Sequence, residues 1–390
     1  MQHKREKLLF LTLVHPDFLP PVYATAQSLR DLNYDITIVT FDSFVPAPVE
    51  LGNNINVETL GKHHNTGIKT RMALRKKFKT RAKELLRDGY KAIIAFCPFS
   101  FLTALDVSGN TEVIYFAMEI ADFTFSGLKR SPLSSISAYR ALYSLNKAYL
   151  VATPSVQRSA WLAGRSHLDF MPATIFNTAY ISGATQKTDD RAVLKHILPD
   201  EVFNKKIVLY TGAVNDRLCV RELVEAFDQL NDSNSVLVAT GFKDNAYCNG
   251  IKQFVAESKN KDKIYLLPYV TREEMLALQA TAHIGVCLMK EVEHYIASQM
   301  LAPNKTGEYL SKGLYILGVK NFYMNMFESA GVGSLAESPA VSDVVTALRH
   351  ALTVIDNADY KTQIKDYVNN YFCMQKQVAP IVKALKKIGK

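Results

Sequence analysis

The segment Pro303-Asn304-Lys305-Thr306-Gly307-Glu308-Tyr309-Leu310-Ser311-Lys312-Gly313 holds a lysine and a glutamate three residues apart, behind a proline and ahead of a glycine. Proline suits the first turn of a helix, where its missing N–H would have no partner anyway, and glycine suits the end. On such a helix Lys305 and Glu308 share one face close to the N-terminus. An ammonium there can meet a phosphate, and a carboxylate can accept hydrogen bonds from sugar hydroxyls. The same acid in a first turn also stabilises the helix dipole by about 0.3–1 kcal/mol with no ligand at all. Spacing alone does not choose between these readings. A second place of this kind is Thr211-Gly212-Ala213, followed by Asn215-Asp216-Arg217. Gly212 ends an apolar run and precedes a helical stretch, so backbone can approach a ligand there and free N–H groups can face a phosphate. Arg217 could grip a diphosphate with two parallel hydrogen bonds. An ordinary strand-to-helix turn with a solvated arginine would be written with the same residues.

Other chemistries lack their residues. There is no G-x-x-x-x-G-K-[ST], no G-x-G-x-x-G after the first strand and no G-x-S-x-G, which argues against P-loop NTPases, dinucleotide oxidoreductases and α/β-hydrolases. No D-x-D supplies a metal-bridging carboxylate pair, and the nine histidines show no zinc spacing, so no metal is expected. Five scattered cysteines without a C-x-x-C pair suit a reducing compartment, so a cytoplasmic location is expected.

The elements that must position these residues follow from apolar periodicity. Short β-rich runs at LLFLTLV (8–14), DITIVTF (35–41), AIIAFCP (92–98), EVIYFAM (112–118) and AYLVATP (148–154) alternate with helical stretches. Such spacing gives βαβ units and a parallel sheet. Residues 177–200 lose the pattern and read as a linker. It then restarts with KIVLYTG (206–212), SVLVATG (235–241), KIYLLPY (263–269), HIGVCLM (283–289) and LYILGV (314–319). The expected architecture is therefore α/β with two Rossmann-like domains: residues 1–176, a linker 177–200, a second domain 201–358, and a C-terminal helical segment 359–390. A chain of 390 residues fits two domains better than one. Its longest apolar stretches, seven or eight residues, fall far short of the roughly 20 a membrane span needs. The opening MQHKREKLLFLTLVHPDF reads as a first strand and not as a signal peptide, because its apolar run is short and no small-residue cleavage site follows.

Three segments of the second domain resemble the nucleotide-sugar-binding half of GT-B glycosyltransferases of the family 4 type. They are IVLYTGAVNDRLCVRELVEAF, LLPYVTREEMLALQATAHIGVCLM and APNKTGEYLSKGLYILGV, and the last is similar to the P-N-K-x-x-E-Y-x-x-x-G segment of one branch. The resemblance implies parallel sheets facing a central cleft and a hexosyl or related transfer from a nucleotide-diphosphate-sugar with retention. The acceptor it implies is a glycan or lipid-linked molecule in cell-surface polysaccharide biosynthesis. It makes Glu308 the ribose ligand and Lys305 and Arg217 diphosphate ligands, with Gly212 and Thr306 beside them. It turns the loop 290–302 toward the donor sugar, with Glu291, Glu293 or His294 contributing. Basic side chains and helix dipoles then stabilise the departing diphosphate without a metal or other cofactor. The chain departs from the pattern at Met300, where many relatives have a second glutamate, and at Leu218-Cys219, where many have Lys-Gly. The first half is similar more loosely. VIYFAMEIADF makes Glu119 a cleft candidate, and His15 is the nearest stand-in for a cleft histidine that relatives often carry. The alternatives are a nucleotide-sugar 2-epimerase on the same fold and a non-catalytic sugar-binding protein.

The net charge of +9 is concentrated. Residues 62–91 hold eleven Lys and Arg against Glu84 and Asp88, an excess equal to that of the whole chain. Leu74, Phe78, Ala82 and Leu85 recur at helical spacing, so the expected helix 66–88 is apolar on one face and basic elsewhere. Arg75, Lys76, Lys77, Lys79 and Lys83 would meet an anionic membrane surface, placing the protein on the inner face of the membrane. No RNP, zinc-finger or helix-turn-helix pattern accompanies the charge, so nucleic acid is not expected as a partner.

Overall fold

The computed structural model describes residues 5–42, 51–62, 68–119, 132–182, 189–291 and 300–389. Two compact units divide them. Unit 1 takes Met1–Ile181, Met300–Asn304 and Met374–Lys390, and unit 2 takes Ser182–Gln299 and Lys305–Cys373.

Unit 1 is built on seven strands: β1 (Glu6–Leu11), β2 (Tyr34–Thr40), β3 (Ile55–Thr59), β4 (Ala92–Ala95), β5 (Glu112–Phe116), β6 (Leu150–Thr153) and β7 (Ala173–Thr174). They pair in the order β3-β2-β1-β4-β5-β6-β7, and every pair is parallel. The apolar runs are continuous because both faces of the sheet are covered. Leu8 and Phe10 point into a core with the helix Pro20–Asp31 and the C-terminal helices, while Leu9 and Leu11 point into another. That second core receives Phe78, Ala82 and Leu85 from the helix Ile68–Leu86, the stripe read from the sequence.

Unit 2 repeats the plan with β8 (Lys206–Tyr210), β9 (Ser235–Thr240), β10 (Ile264–Leu267), β11 (Ile284–Cys287), β12 (Tyr315–Val319) and β13 (Gly333–Ala336). The order is β10-β9-β8-β11-β12-β13, again wholly parallel. The helix Val220–Leu230 buries Val220, Leu223, Val224 and Phe227, the i, i+3, i+4, i+7 stripe of a helix lying on a sheet.

Four differences separate the elements from the sequence reading. The helix Pro98–Val107 follows β4 directly, where the run had been read on as strand. Pro98 opens it and a Cys97–Ser100 capping box fixes its start. Strand β13 escapes periodicity because GSLA has no apolar alternation. The stretch 359–390 does not form one segment: Tyr360–Asn370 belongs to unit 2, and Met374 onward packs in unit 1. Nor are all of 177–200 linker in character. Asn177 and Thr178 are buried, Asn177 donating to the Ala302 carbonyl at 2.8 Å, and Leu194 and Leu198 are buried as well.

Candidate functional site

The site in unit 2 starts at the carboxyl end of β8, where ligands of open parallel sheets bind. Thr211 is tied down twice: its N–H donates to the Tyr309 hydroxyl at 3.0 Å, and its own hydroxyl lies 2.9 Å from the same oxygen. Gly212 follows with φ +125°. Gly241, at the end of β9, has φ +100°, and a Cβ there would lie 1.7 Å from the Gly212 carbonyl oxygen. Only a glycine at 241 lets these backbones pass so closely, while Gly212 supplies the positive φ of the turn. Tyr210 closes the turn by donating to the Ala213 carbonyl at 2.6 Å.

The helix Asn304–Ser311 lies across this turn. Tyr309 is fully buried against Gly285 of β11, where any Cβ would come within 2.4 Å of its ring. That contact and the Thr211 bonds lock the helix to the ends of two neighbouring strands. Lys305 is thereby carried over the glycine turn. Its Nζ lies 4.2 Å from the Tyr210 ring centroid, and 3.8 Å from where a Gly212 Cβ would be. The ammonium is buried, and it has no hydrogen-bond partner among the described residues. Burial pushes its pKa down, with the nearby Cys287 opposing only in part. A buried ammonium without a hydrogen-bond partner is costly, so the fold holds a cation ready for an anion that the described residues do not supply.

Glu308 is held from the side. Arg272 Nη2 donates to one carboxylate oxygen at 2.8 Å and Gln279 Nε2 to the other at 3.3 Å. Arg217 is exposed on the short turn Asp216–Leu218. The turn is pinned by Lys290, whose N–H donates to the Arg217 carbonyl at 2.9 Å. The Lys290 ammonium pairs with Asp216 at 3.0 Å and Glu222 at 2.6 Å, which pushes its pKa up. Two residues after Arg217, Cys219 takes the left-handed conformation, φ 51°, which favours glycine. It is fully buried, and its thiol is pushed up to about 12, chiefly by that burial.

The structure therefore brings Gly212 and Lys305 together and holds Glu308 one turn along the same helix from Lys305. Thr306 is buried with its hydroxyl 3.2 Å from that of Tyr323, so it packs in the core instead of beside Lys305. His294 and Glu293 lie outside the described residues; Glu291 is exposed. In unit 1, Glu119 is exposed just past the end of β5. His15 caps the short turn Pro16–Phe18, its Nδ1 accepting from the Asp17 N–H at 3.3 Å. Burial pushes its pKa down, against the opposing pull of Asp17 and Asp42. Sequence reasoning missed Arg272, Gln279, Lys290 and Tyr210. The one available signal was Gly285, a glycine inside an apolar strand, which marks the close approach that Tyr309 makes.

Of the five basic residues assigned to a membrane surface, three are engaged within the protein. Arg75 lies over the Phe99 ring at 4.4 Å, Lys77 donates to the Leu60 carbonyl at 3.3 Å, and Lys79 pairs with Asp106 at 2.8 Å. Lys76 and Lys83 are exposed and have no ion pair among the described residues. Among the described residues, no helix is long and apolar enough to cross a membrane.

No protein-family model matches the sequence, nor does any curated protein. Solved structures do match over nearly the whole chain. Sucrose-phosphate synthase from Thermosynechococcus elongatus is 14% identical with a TM-score of 0.68, covering 98% of this chain and 99% of that one. HepE from Anabaena, solved in complex with UDP and glucose, is 15% identical with a TM-score of 0.68, covering 98% and 100%. A putative UDP-N-acetylglucosamine 2-epimerase from Listeria monocytogenes is 12% identical with a TM-score of 0.63, covering 98% and 96%. With its two wholly parallel sheets in this strand order, the chain has the GT-B fold.

Proposed function

We propose that the protein is a retaining, metal-independent glycosyltransferase that moves a hexose or related sugar from a nucleotide-diphosphate-sugar to a glycan or lipid-linked acceptor in cell-surface polysaccharide biosynthesis. The observation that carries the donor site is the buried Lys305 ammonium over the Gly212 turn, which has no hydrogen-bond partner among the described residues. The donor's diphosphate supplies the missing counter-charge. As the glycosidic bond to the diphosphate breaks, negative charge grows on the leaving oxygen. A fixed cation and the N–H groups of a glycine turn stabilise that charge without reorganising. Arg217 adds a second cation from the turn that Lys290 pins, and Glu308 accepts hydrogen bonds from the ribose. Unit 1 supplies the acceptor side, with Glu119 and His15 as its candidates. The UDP complex of HepE, a structure of similar fold, supports the choice of ligand class.

Thermal-shift and calorimetric titration with UDP, GDP, ADP and CMP test the donor site. One nucleotide should stabilise the protein, and Glu308→Ala should abolish that stabilisation. No stabiliser among the four would sink the reading. Retention is read from the anomeric configuration of the product by NMR, and metal independence from activity in excess chelator. The likeness to a putative 2-epimerase favours one rival. It would win if the protein inverted C2 of a UDP-sugar without any acceptor.

The membrane assignment now rests on Lys76 and Lys83, with Met72 61% exposed on the same helix. Attachment to the inner face of the membrane predicts that Lys76→Glu with Lys83→Glu lowers binding to anionic liposomes. Unchanged flotation would remove it.

A further inference from the structure

Glu308 lies 85% out of solvent at its side chain and meets a donor on each oxygen. Both donors come from the helix Arg272–Thr281. Arg272 and Gln279 are seven residues apart, two helical turns, so they project from one face and reach the two oxygens of one carboxylate. The helix start is itself fixed: Thr271 and Glu274 form a capping box, with Thr271 N–H to Glu274 at 2.6 Å and Glu274 N–H to Thr271 at 3.2 Å. Arg272 is the first residue of that helix, so its backbone has little freedom to drift.

Gln279 carries a cost that packing does not explain. It is fully buried, and because a carboxylate only accepts, its amide must turn Nε2 toward Glu308. That leaves Oε1 buried with no hydrogen-bond partner among the described residues. A leucine or methionine would fill the same space with no orphaned acceptor.

Resting on the reading of Glu308 as a ribose ligand, we propose that Arg272 and Gln279 are positioning residues that set this enzyme's preference for ribonucleotides over deoxyribonucleotides. A carboxylate offers about four lone-pair directions. One protein donor on each oxygen leaves one direction free on each, and a cis-diol presents two O–H donors side by side. The clamp fixes the carboxylate plane in which those two bonds are received. Hydrogen bonds donated to a carboxylate are charge-assisted, so each of the two is stronger than a bond between neutral groups. A carboxylate free to rotate would meet one hydroxyl at a time and discriminate less.

The test is calorimetric binding of UDP, GDP, ADP and CDP, each against its 2′-deoxy form. It uses the full-length protein and the variants Arg272→Met, Gln279→Met, Arg272→Lys and Glu308→Gln. The wild type should prefer the ribonucleotide of its cognate base by roughly ten- to a hundredfold. Arg272→Met and Gln279→Met should each lower ribonucleotide affinity while leaving deoxyribonucleotide affinity nearly unchanged, which collapses the ratio. Arg272→Lys should restore part of it. A tie that only joins two helices would lower both affinities together or neither. If folded Arg272→Met and Gln279→Met keep the wild-type ratio while Glu308→Gln loses it, the positioning role is overturned and the ribose reading stands. If the wild type shows no preference and Glu308→Gln changes nothing, the ribose reading itself falls.

Discussion

The two units share one strand order over six strands, with β7 added in unit 1, and the loops after their first strands can be compared from the last paired residues of each. Leu11 pairs with Val39 in unit 1 as Tyr210 pairs with Ala239 in unit 2. Leu13 comes two residues after its pair, as Gly212 does, and Phe41 two residues after its own, as Gly241 does. Unit 1 fills the position: Phe41 is buried and stacks on Phe78 with ring centroids 5.6 Å apart. Its loop also satisfies itself, Thr12 donating to the Val14 carbonyl at 2.8 Å and His15 capping the next turn. Unit 2 does the reverse, with Gly241 pressed on the Gly212 carbonyl and a lysine above that has no hydrogen-bond partner among the described residues. Topology makes the end of the first strand available in both units. Side-chain volume decides which of them is left open.

The contrast breaks most readily at Gly241. Gly241→Ala places a methyl carbon into the Gly212 carbonyl, at a φ that alanine rarely adopts. It should cost about 3 kcal/mol or more of stability in denaturant unfolding and abolish nucleotide binding. Near-normal stability would show that the two loops are not as tightly fitted as they stand.

A pH titration sharpens it next. Burial pushes His283 in unit 2 down to about 4 from the ordinary 6.5, helped by the charges of Lys361 and Lys206, and its Nδ1 accepts from the Ile207 N–H at 3.1 Å. The unfolded chain thus takes up this proton before the folded one. The contribution is fully present above pH 6.5 and is lost as pH falls toward 4, up to about 3 kcal/mol in all. Chemical unfolding at pH 7 and pH 4.5 measures it, and His283→Gln should flatten the slope.

Lys305→Met separates function from stability. Removing the orphaned ammonium should weaken the best nucleotide at least about tenfold, or roughly 1.4 kcal/mol. The same change should raise the ligand-free melting temperature by about 2–4 °C, because an apolar side chain suits that burial better. A melting temperature that falls would mean the ammonium is satisfied in some way the geometry does not show. Because burial lowers its pKa, nucleotide affinity should also decline on the alkaline side before the ordinary lysine range is reached. The smallest effect belongs to Cys219. Cys219→Gly relieves a left-handed residue but loses a buried thiol, so stability should move by less than about 1 kcal/mol. Cys219→Val, stiff at that φ, should cost more.

The resemblance and the spacing single out Gly212, Lys305 and Glu308 as candidates because those residues sit at fixed offsets from a strand end and a helix start. Both of these are local patterns. The same reading placed Thr306 with them, although its side chain turns into the core. It also spread a membrane role over Arg75, Lys77 and Lys79, which bind Phe99, Leu60 and Asp106 instead. Charge can be counted along a chain, but an ion pair needs a partner from another element, and Asp106 comes from the helix beside it.

What the sequence determined by itself was the alternation of short apolar runs with helices, the two α/β units, and three candidate positions at a strand end and a helix start. Periodicity and turn chemistry are properties of neighbouring residues, so they can be read without a fold. What only the tertiary structure decided was which of those residues are poised. The burial of the Lys305 ammonium over Tyr210 depends on contacts between segments far apart in the chain. So do the pressing of Gly241 on Gly212 and the grip of Arg272 and Gln279 on Glu308. Desolvation and hydrogen-bond satisfaction are set by everything that surrounds a group, and a linear sequence does not display those surroundings.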